Sequence, residues 1–214
     1  MTSNDSVTSN DSVTPDYTAE RMAVLATQHR CREQGLQSGN GGNVSVRIPG
    51  AELMAAKASN ASFADSSVDA AVVADFSGRL VVGSRPPTKE ALLHGSIYAR
   101  MPEVGAVVHC HSPWAIACAA KWKQIPASTY HAVLKLGGPV PVIDTGGYSV
   151  RPEQVDEVLA AFSGPPEVRA IMLAGHGLVA VGRDLDDAVC TAELVEETAH
   201  VAAIADLLTS ADGR

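Results

Sequence analysis

The apolar run Val104-Gly105-Ala106-Val107-Val108 ends in His109-Cys110-His111, and this junction constrains the chain more than any other segment. The run has the length and composition of a buried strand. In an extended strand successive side chains point to opposite faces, so His109 and His111 share one face while Cys110 turns to the other, toward a core. Two histidines so placed either meet one metal ion or are ordinary hydrogen-bonded residues. A catalytic zinc usually takes three protein ligands and keeps one position open. His176, in Ala174-Gly175-His176-Gly177, is the third candidate. It follows the strand-like Val168–Leu173, and the flanking glycines free the backbone to aim the ring.

The elements around this junction set the fold class. Residues 16–36 carry apolar residues at helical spacing and stop at Gly35. Ser38-Gly39-Asn40-Gly41-Gly42-Asn43 is a glycine-rich turn that runs into the alternating strand Val44-Ser45-Val46-Arg47. Ala71–Phe76 and Arg79–Val82, joined by Ser77-Gly78, read as a hairpin. Lys89–Arg100 reads as a helix with Thr88 as its N-cap. Then follow a short helix at 113–120, a strand at 140–144, a helix at 152–162, the 168–173 strand, and a long helix from Leu185 to about 208 behind an Asp184 cap. Hairpins mixed with helices predict an α/β fold, a mixed and largely antiparallel sheet sandwiched between helix layers.

At 214 residues the chain suits one domain over 16–214. Residues 1–15 contain the direct repeat TSNDSV-TSNDSV, whose polarity predicts a disordered tail. Only 4% of residues are aromatic, so the core must be built from Ala, Val, Leu and Ile. The net charge of −8 argues against nucleic acid or an anionic membrane surface as partner. Four cysteines without C-x-x-C spacing read as free thiols of a reducing compartment. No signal-peptide pattern and no membrane-spanning run is evident, so a soluble, cytoplasmic protein is expected. The absence of G-x-G-x-x-G and of a P-loop weakens dinucleotide and nucleotide readings.

Beside the histidines stands Glu90, in Thr88-Lys89-Glu90-Ala91. It either complements a helix dipole or, carried by a helix that feeds the histidine strand, lies near the metal as a base. His94 shares its helix face and reads as a buried structural histidine. His29 and His200 read as core or surface residues, and His131 is undecided. The glycine-rich turn is a simple connection or, through its N–H groups and the Asn43 amide, an anion-binding concavity. With Ser59, Asn60, Thr88 and Lys89 it has the makings of one phosphate pocket.

Four motifs in order, GNGGNVSVR, PPTKEALLH, EVGAVVHCHSPWA and MLAGHGLVAVGRDLDDAV, resemble the class II aldolase/adducin head family over about residues 20–208. The resemblance implies a sheet between helix layers and a homotetramer with active sites at subunit interfaces. It implies His109, His111 and His176 as metal ligands, with zinc expected and cobalt or manganese as alternatives. Glu90 becomes the acid/base, Asn43, Ser59, Thr88 and Lys89 phosphate-binding residues, and Tyr130 a proton donor across the interface. The implied activity is a zinc-dependent C–C lyase acting through an enediolate on a small phosphorylated keto-sugar or sugar acid. Thr88-Lys89, in place of the usual serine pair, and the Ser59-Asn60 turn are similar to the 3-oxo-tetronate 4-phosphate decarboxylase branch. Glu90, where epimerases carry Asp, argues against a 4-epimerase. A sugar-phosphate dehydratase and a non-catalytic adducin-like interaction module are the remaining alternatives.

Overall fold

Apolar residues at helical spacing make α1 (Thr18–Glu33), which ends where Gly35 turns left-handed at φ 75° and the Leu36 N–H closes back on the Cys31 carbonyl at 2.9 Å. The computed structural model describes residues 15–164 and 166–212. The tail repeat therefore lies outside the described residues. After α1 come β1 (Asn43–Arg47), β2 (Leu53–Lys57), β3 (Ala71–Asp75) and β4 (Leu80–Val82). Then follow α2 (Ala91–Arg100), β5 (Ala106–Cys110), α3 (Pro113–Lys121), β6 (Gln124–Ile125), α4 (Tyr130–Leu136) and β7 (Val140–Ile143). The chain closes with α5 (Val155–Phe162), β8 (Ala170–Leu173), β9 (Gly177–Gly182) and α6 (Leu185–Asp212), the last led by Asp184, whose Oδ1 accepts from the Asp187 N–H at 2.8 Å.

Among the described residues nine strands form one sheet in the order β4-β3-β2-β1-β5-β9-β8-β7-β6. Every pairing is antiparallel except β7 with β8. Alternation along β5 divides the core. Ala106, Val108 and Cys110 pack with residues of α1, α3, α4 and α6 on one face, while Val107 packs with α2 and α5 on the other. The expected sandwich of a mixed, largely antiparallel sheet is what forms, and Cys110 is fully buried on the face opposite His109. Among the described residues no helix is long and apolar enough to cross a membrane.

Two expectations need correction. The 89–100 helix begins at Ala91, with Glu90 at the N-cap position and Thr88 outside it. Pro87 bridges Ala58, and the Thr88 N–H donates to the Lys57 carbonyl at 3.0 Å, so residues 87–88 are tied to the end of β2 and cannot wind earlier. The helix over 152–162 is a short 3₁₀ turn at Pro152–Gln154 leading into α5. The strands β2 and β9 and the helix α4 were not anticipated. Leu-Met-Ala-Ala-Lys in β2 is poor in β-branched residues, and its small side chains are buried because helices close on both sides: Ala55 belongs to the α1 face, Ala56 to the α2 face.

His94 is the structural histidine expected. It is fully buried, and its Nδ1 shares a 2.7 Å hydrogen bond with Ser45 Oγ, which also meets Tyr98 Oη at 2.7 Å. Burial holds its pKa down to about 3. In the unfolded chain the ring titrates near 6.5. Its contribution is thus complete above that pH and is lost as pH falls toward the folded value, at about 1.4 kcal/mol per pH unit. Urea midpoints measured from pH 7 to 4 should fall accordingly, and His94→Gln should flatten the slope; an unchanged slope would remove His94 from acid denaturation.

Candidate metal centre

β5 and β9 pair so that His109 lies opposite Val179, and Leu173-Ala174-Gly175-His176 turns back over the end of β5. His109 and His111 project from the α2 side of the sheet, and His176 folds in above them. The three rings pack edge to face or tilted, with centroids 4.6 to 5.1 Å apart. One nitrogen from each lies within 4.8 Å of the others. The flanking glycines have distinct duties. Gly175 is left-handed at φ 63°, which the turn requires. Gly177 is needed for space: an added Cβ would stand 2.5 Å from the Cys110 carbonyl, 2.9 Å from His111 Cδ2 and 3.0 Å from His109 Cε1.

The donor set fits a divalent cation. The His109 Nδ1–H donates to the Leu178 carbonyl at 2.8 Å, which leaves the Nε2 lone pair facing inward. His109 Nε2 is 3.2 Å from His111 Nε2 and 3.3 Å from Glu90 Oε2. Tetrahedral ligands at ~2.0–2.1 Å from zinc stand roughly 3.3–3.4 Å apart, so these spacings match a shared ion. Burial is the first cause holding His109, His111 and His176 down to about 4, and their mutual proximity adds to it for the last two. The rings are therefore neutral at pH 7, the state that ligates. Among the described residues His176 Nδ1 and Glu90 Oε1 are buried without hydrogen-bond partners, and they stand 3.8 Å apart. Neutral imidazoles and a carboxylate turned toward one another are acceptors in search of a cation or a proton.

Glu90 does more than complement a helix dipole. It is 6% exposed, makes no capping bond, and turns its carboxylate toward the histidines. Burial raises its pKa, against the lowering effects of the Asn43 hydrogen bond and of His176, His111 and Lys57 nearby. Asn43 Nδ2 donates to Glu90 Oε2 at 2.8 Å, so part of its amide is committed to the carboxylate.

The predicted residues Asn43, Ser59, Thr88, Lys89, Glu90, His109, His111 and His176 line one cavity of about 210 Å³ with the glycine-rich turn. Tyr130 is not brought there by its own chain; it starts α4 and is 97% exposed. Lys57, Gln37, Tyr148 and Ser149 were not anticipated. Gln37 Oε1 accepts the His111 N–H at 2.7 Å and so fixes the end of β5. Tyr148 and Ser149 reach the cavity from the loop after β7, marked in sequence only by the Gly146-Gly147 pair before them. Lys57 ends β2 and is 3% exposed, and burial and the charge of Arg85 lower its pKa to about 8 against the opposing pull of Asp65 and Glu90.

Gly177→Ala should therefore injure the centre without touching a ligand. Metal affinity, measured by competition with a chelator, is expected to fall roughly 10- to 100-fold. Unchanged affinity would show that the β5–β9 contact does not position the rings.

The sequence pattern of the class II aldolase and adducin N-terminal domain matches residues 22–203. The chain belongs to that family. It is 35% identical to the 5-methylthioribulose-1-phosphate/5-deoxyribulose-1-phosphate aldolase of Rhodospirillum rubrum, over 85% of this chain and 79% of the relative. It is 32% identical to the 3-oxo-tetronate 4-phosphate decarboxylase of Haemophilus influenzae, over 86% of each. The solved structure of an L-fuculose 1-phosphate aldolase superposes with a TM-score of 0.81 at 28% identity, covering 89% of this chain and 87% of that one. The His109, His111 and His176 cluster in this family member is consistent with a divalent metal.

Proposed function

We propose that the protein is a zinc-dependent lyase that cleaves a C–C bond in a short phosphorylated keto-sugar or sugar acid. The observation that supports this most is the meeting of three neutral imidazoles beside a buried carboxylate at the floor of a polar cavity. His109, His111 and His176 would hold the ion, and an all-imidazole set suits zinc, with cobalt and manganese as alternatives. When bound, the metal supplies Lewis acidity that draws electron density from a carbonyl next to the breaking bond.

The chain's own residues do the rest. Glu90, with its raised pKa and an Asn43 amide fixing Oε2, carries the proton exchanged with the substrate carbon. The amide N–H groups of the glycine-rich turn, the hydroxyls of Ser59 and Thr88, and the ammonium of Lys89 bind the phosphate end. Tyr130 acts as proton donor on the aldehyde oxygen in a neighbouring subunit's site, within the homotetramer that the family resemblance implies. This would account for a tyrosine that is exposed and does not line its own chain's cavity. The family resemblance and the named relatives support the sugar-phosphate substrate class.

A decarboxylase is the second reading. It is favoured by Thr88-Lys89 and the Ser59-Asn60 turn, and by the relative that carries that name. Such an enzyme needs the same electron sink and loses carbon dioxide. A panel of phosphorylated ketoses plus 3-oxo-tetronate 4-phosphate, scored for dihydroxyacetone phosphate and for carbon dioxide, separates the two. Aldehyde and dihydroxyacetone phosphate release is the expected result. Carbon dioxide release would move the assignment to the decarboxylase, and no turnover on any member by metal-loaded protein would support an interaction module.

A further inference from the structure

β1 and α2 meet through a seam of buried polar side chains that neither the core nor the metal centre by itself requires. Alternation along β1 turns Val44 and Val46 to the α1 face of the sheet and Asn43, Ser45 and Arg47 to the α2 face. Opposite them Glu90, His94 and Tyr98 follow one another at four-residue spacing, which puts them on one side of the helix. The two rows pair in order. Asn43 Nδ2 donates to Glu90 Oε2 at 2.8 Å, and Ser45 Oγ stands 2.7 Å from both His94 Nδ1 and Tyr98 Oη. The Arg47 guanidinium donates to the Met101 carbonyl at 3.1 Å and lies 5.0 Å from the Tyr98 ring centre. In the sheet the same strand sets Asn43 opposite His109. One strand thus carries the contacts of both the carboxylate and the histidine beside it.

Stability does not account for a histidine at position 94. The ring is fully buried, and among the described residues its Nε2 has no hydrogen-bond partner. An unmet buried polar atom costs about 1–3 kcal/mol, which an apolar residue of similar volume would avoid. What His94 does hold is Glu90. That residue stands at the N-cap position without a capping bond from its side chain, and its carbonyl accepts the His94 N–H at 3.0 Å. The place of His94 against Ser45 is therefore passed on to Glu90 through one helical turn. We propose that Ser45 and His94 are positioning residues for Glu90: the hydrogen bond between them sets the register of α2 on β1, and with it the place of the carboxylate against Asn43 and His109. Neither side chain lines the cavity, so neither meets the substrate. The inference rests on the lyase reading for the acid/base role of Glu90, while the register itself is read without metal or substrate.

The test follows the Asn43 side-chain amide by NMR in chelator-treated protein, its signal assigned by its absence in Asn43→Ala, and kcat and KM in metal-loaded protein. In the wild type an Asn43 amide proton should be protected from solvent exchange by its bond to Glu90; free exchange would overturn the proposal even if no variant folds. His94→Leu, which keeps the bulk and removes Nδ1, and Ser45→Ala should each move the Asn43 signal toward that of a free amide. Each should also lower kcat roughly 10- to 100-fold with KM little changed, the effect of displacing a reacting group by about 1 Å. His94→Asn, whose amide can stand where Nδ1 does, should recover most of both. An unmoved Asn43 signal in folded His94→Leu and Ser45→Ala protein, an unchanged kcat where the wild type turns over, or folded His94→Asn that recovers neither readout would reduce the seam to packing and overturn the proposal. If the wild type turns over no phosphosugar while the Asn43 signal responds as expected, the positioning stands and the lyase reading alone falls.

Discussion

Glu90→Gln is expected to reduce turnover of the phosphosugar substrate by roughly 10²- to 10⁴-fold, the range a positioned acid/base contributes, while the metal content stays unchanged. The substitution keeps the side chain's volume and an oxygen that can still accept from Asn43 Nδ2, now 2.8 Å from Glu90 Oε2. It removes the exchangeable proton and the negative charge beside His109. The buried carboxylate carries a desolvation cost that a neutral amide does not, so thermal stability should stay level or rise. The kinetic signature separates this role from a packing role: kcat should fall while KM changes little. Unimpaired turnover in a folded, metal-loaded Glu90→Gln protein would take Glu90 out of the mechanism.

His109→Ala should have the largest combined effect. His109 is 1% exposed and is fastened at both nitrogens, by the Leu178 carbonyl on one side and by the cluster on the other. Its loss opens a cavity and removes the side-chain donor to the Leu178 carbonyl, for a cost of about 2–4 kcal/mol in stability. Losing the proposed Lewis acid as well would cost several kcal/mol of transition-state stabilisation, or roughly 10³-fold or more in rate. Denaturant midpoints and turnover on the same preparation check both. Should the variant keep metal-dependent turnover, His109 is not a ligand.

How much of this was legible in the chain depended on whether a feature was local. The histidine pair, Cys110 on the opposite face, the backbone freedom that Gly175 uses at φ 63° and the cap at Asp184 all follow from strand alternation and backbone chemistry over a few residues, and the fold agrees. The start of α2 was misplaced because the tie that delays it, Pro87 and Thr88 against the end of β2, joins segments about thirty residues apart. For β2 the cause is similar. An alanine-rich strand carries no pattern of its own and exists because helices cover both its faces. Lys57 closes that unreadable strand, and a single lysine after two alanines gives no sign that it ends 3% exposed against a glycine-rich turn. Gln37 was silent for the same reason: its contact with the His111 backbone spans seventy-four residues.

His109, His111 and His176 are proposed to hold one divalent cation together. Chelator-treated protein titrated with zinc, with bound metal counted by elemental analysis, tests it most directly. One zinc per chain is predicted in the wild type, raising the thermal midpoint as ligand linkage requires, with stoichiometric binding lost in each of His109→Ala, His111→Ala and His176→Ala. Wild-type protein that takes up no zinc, or variants that still bind one ion per chain with unaltered affinity, would contradict it.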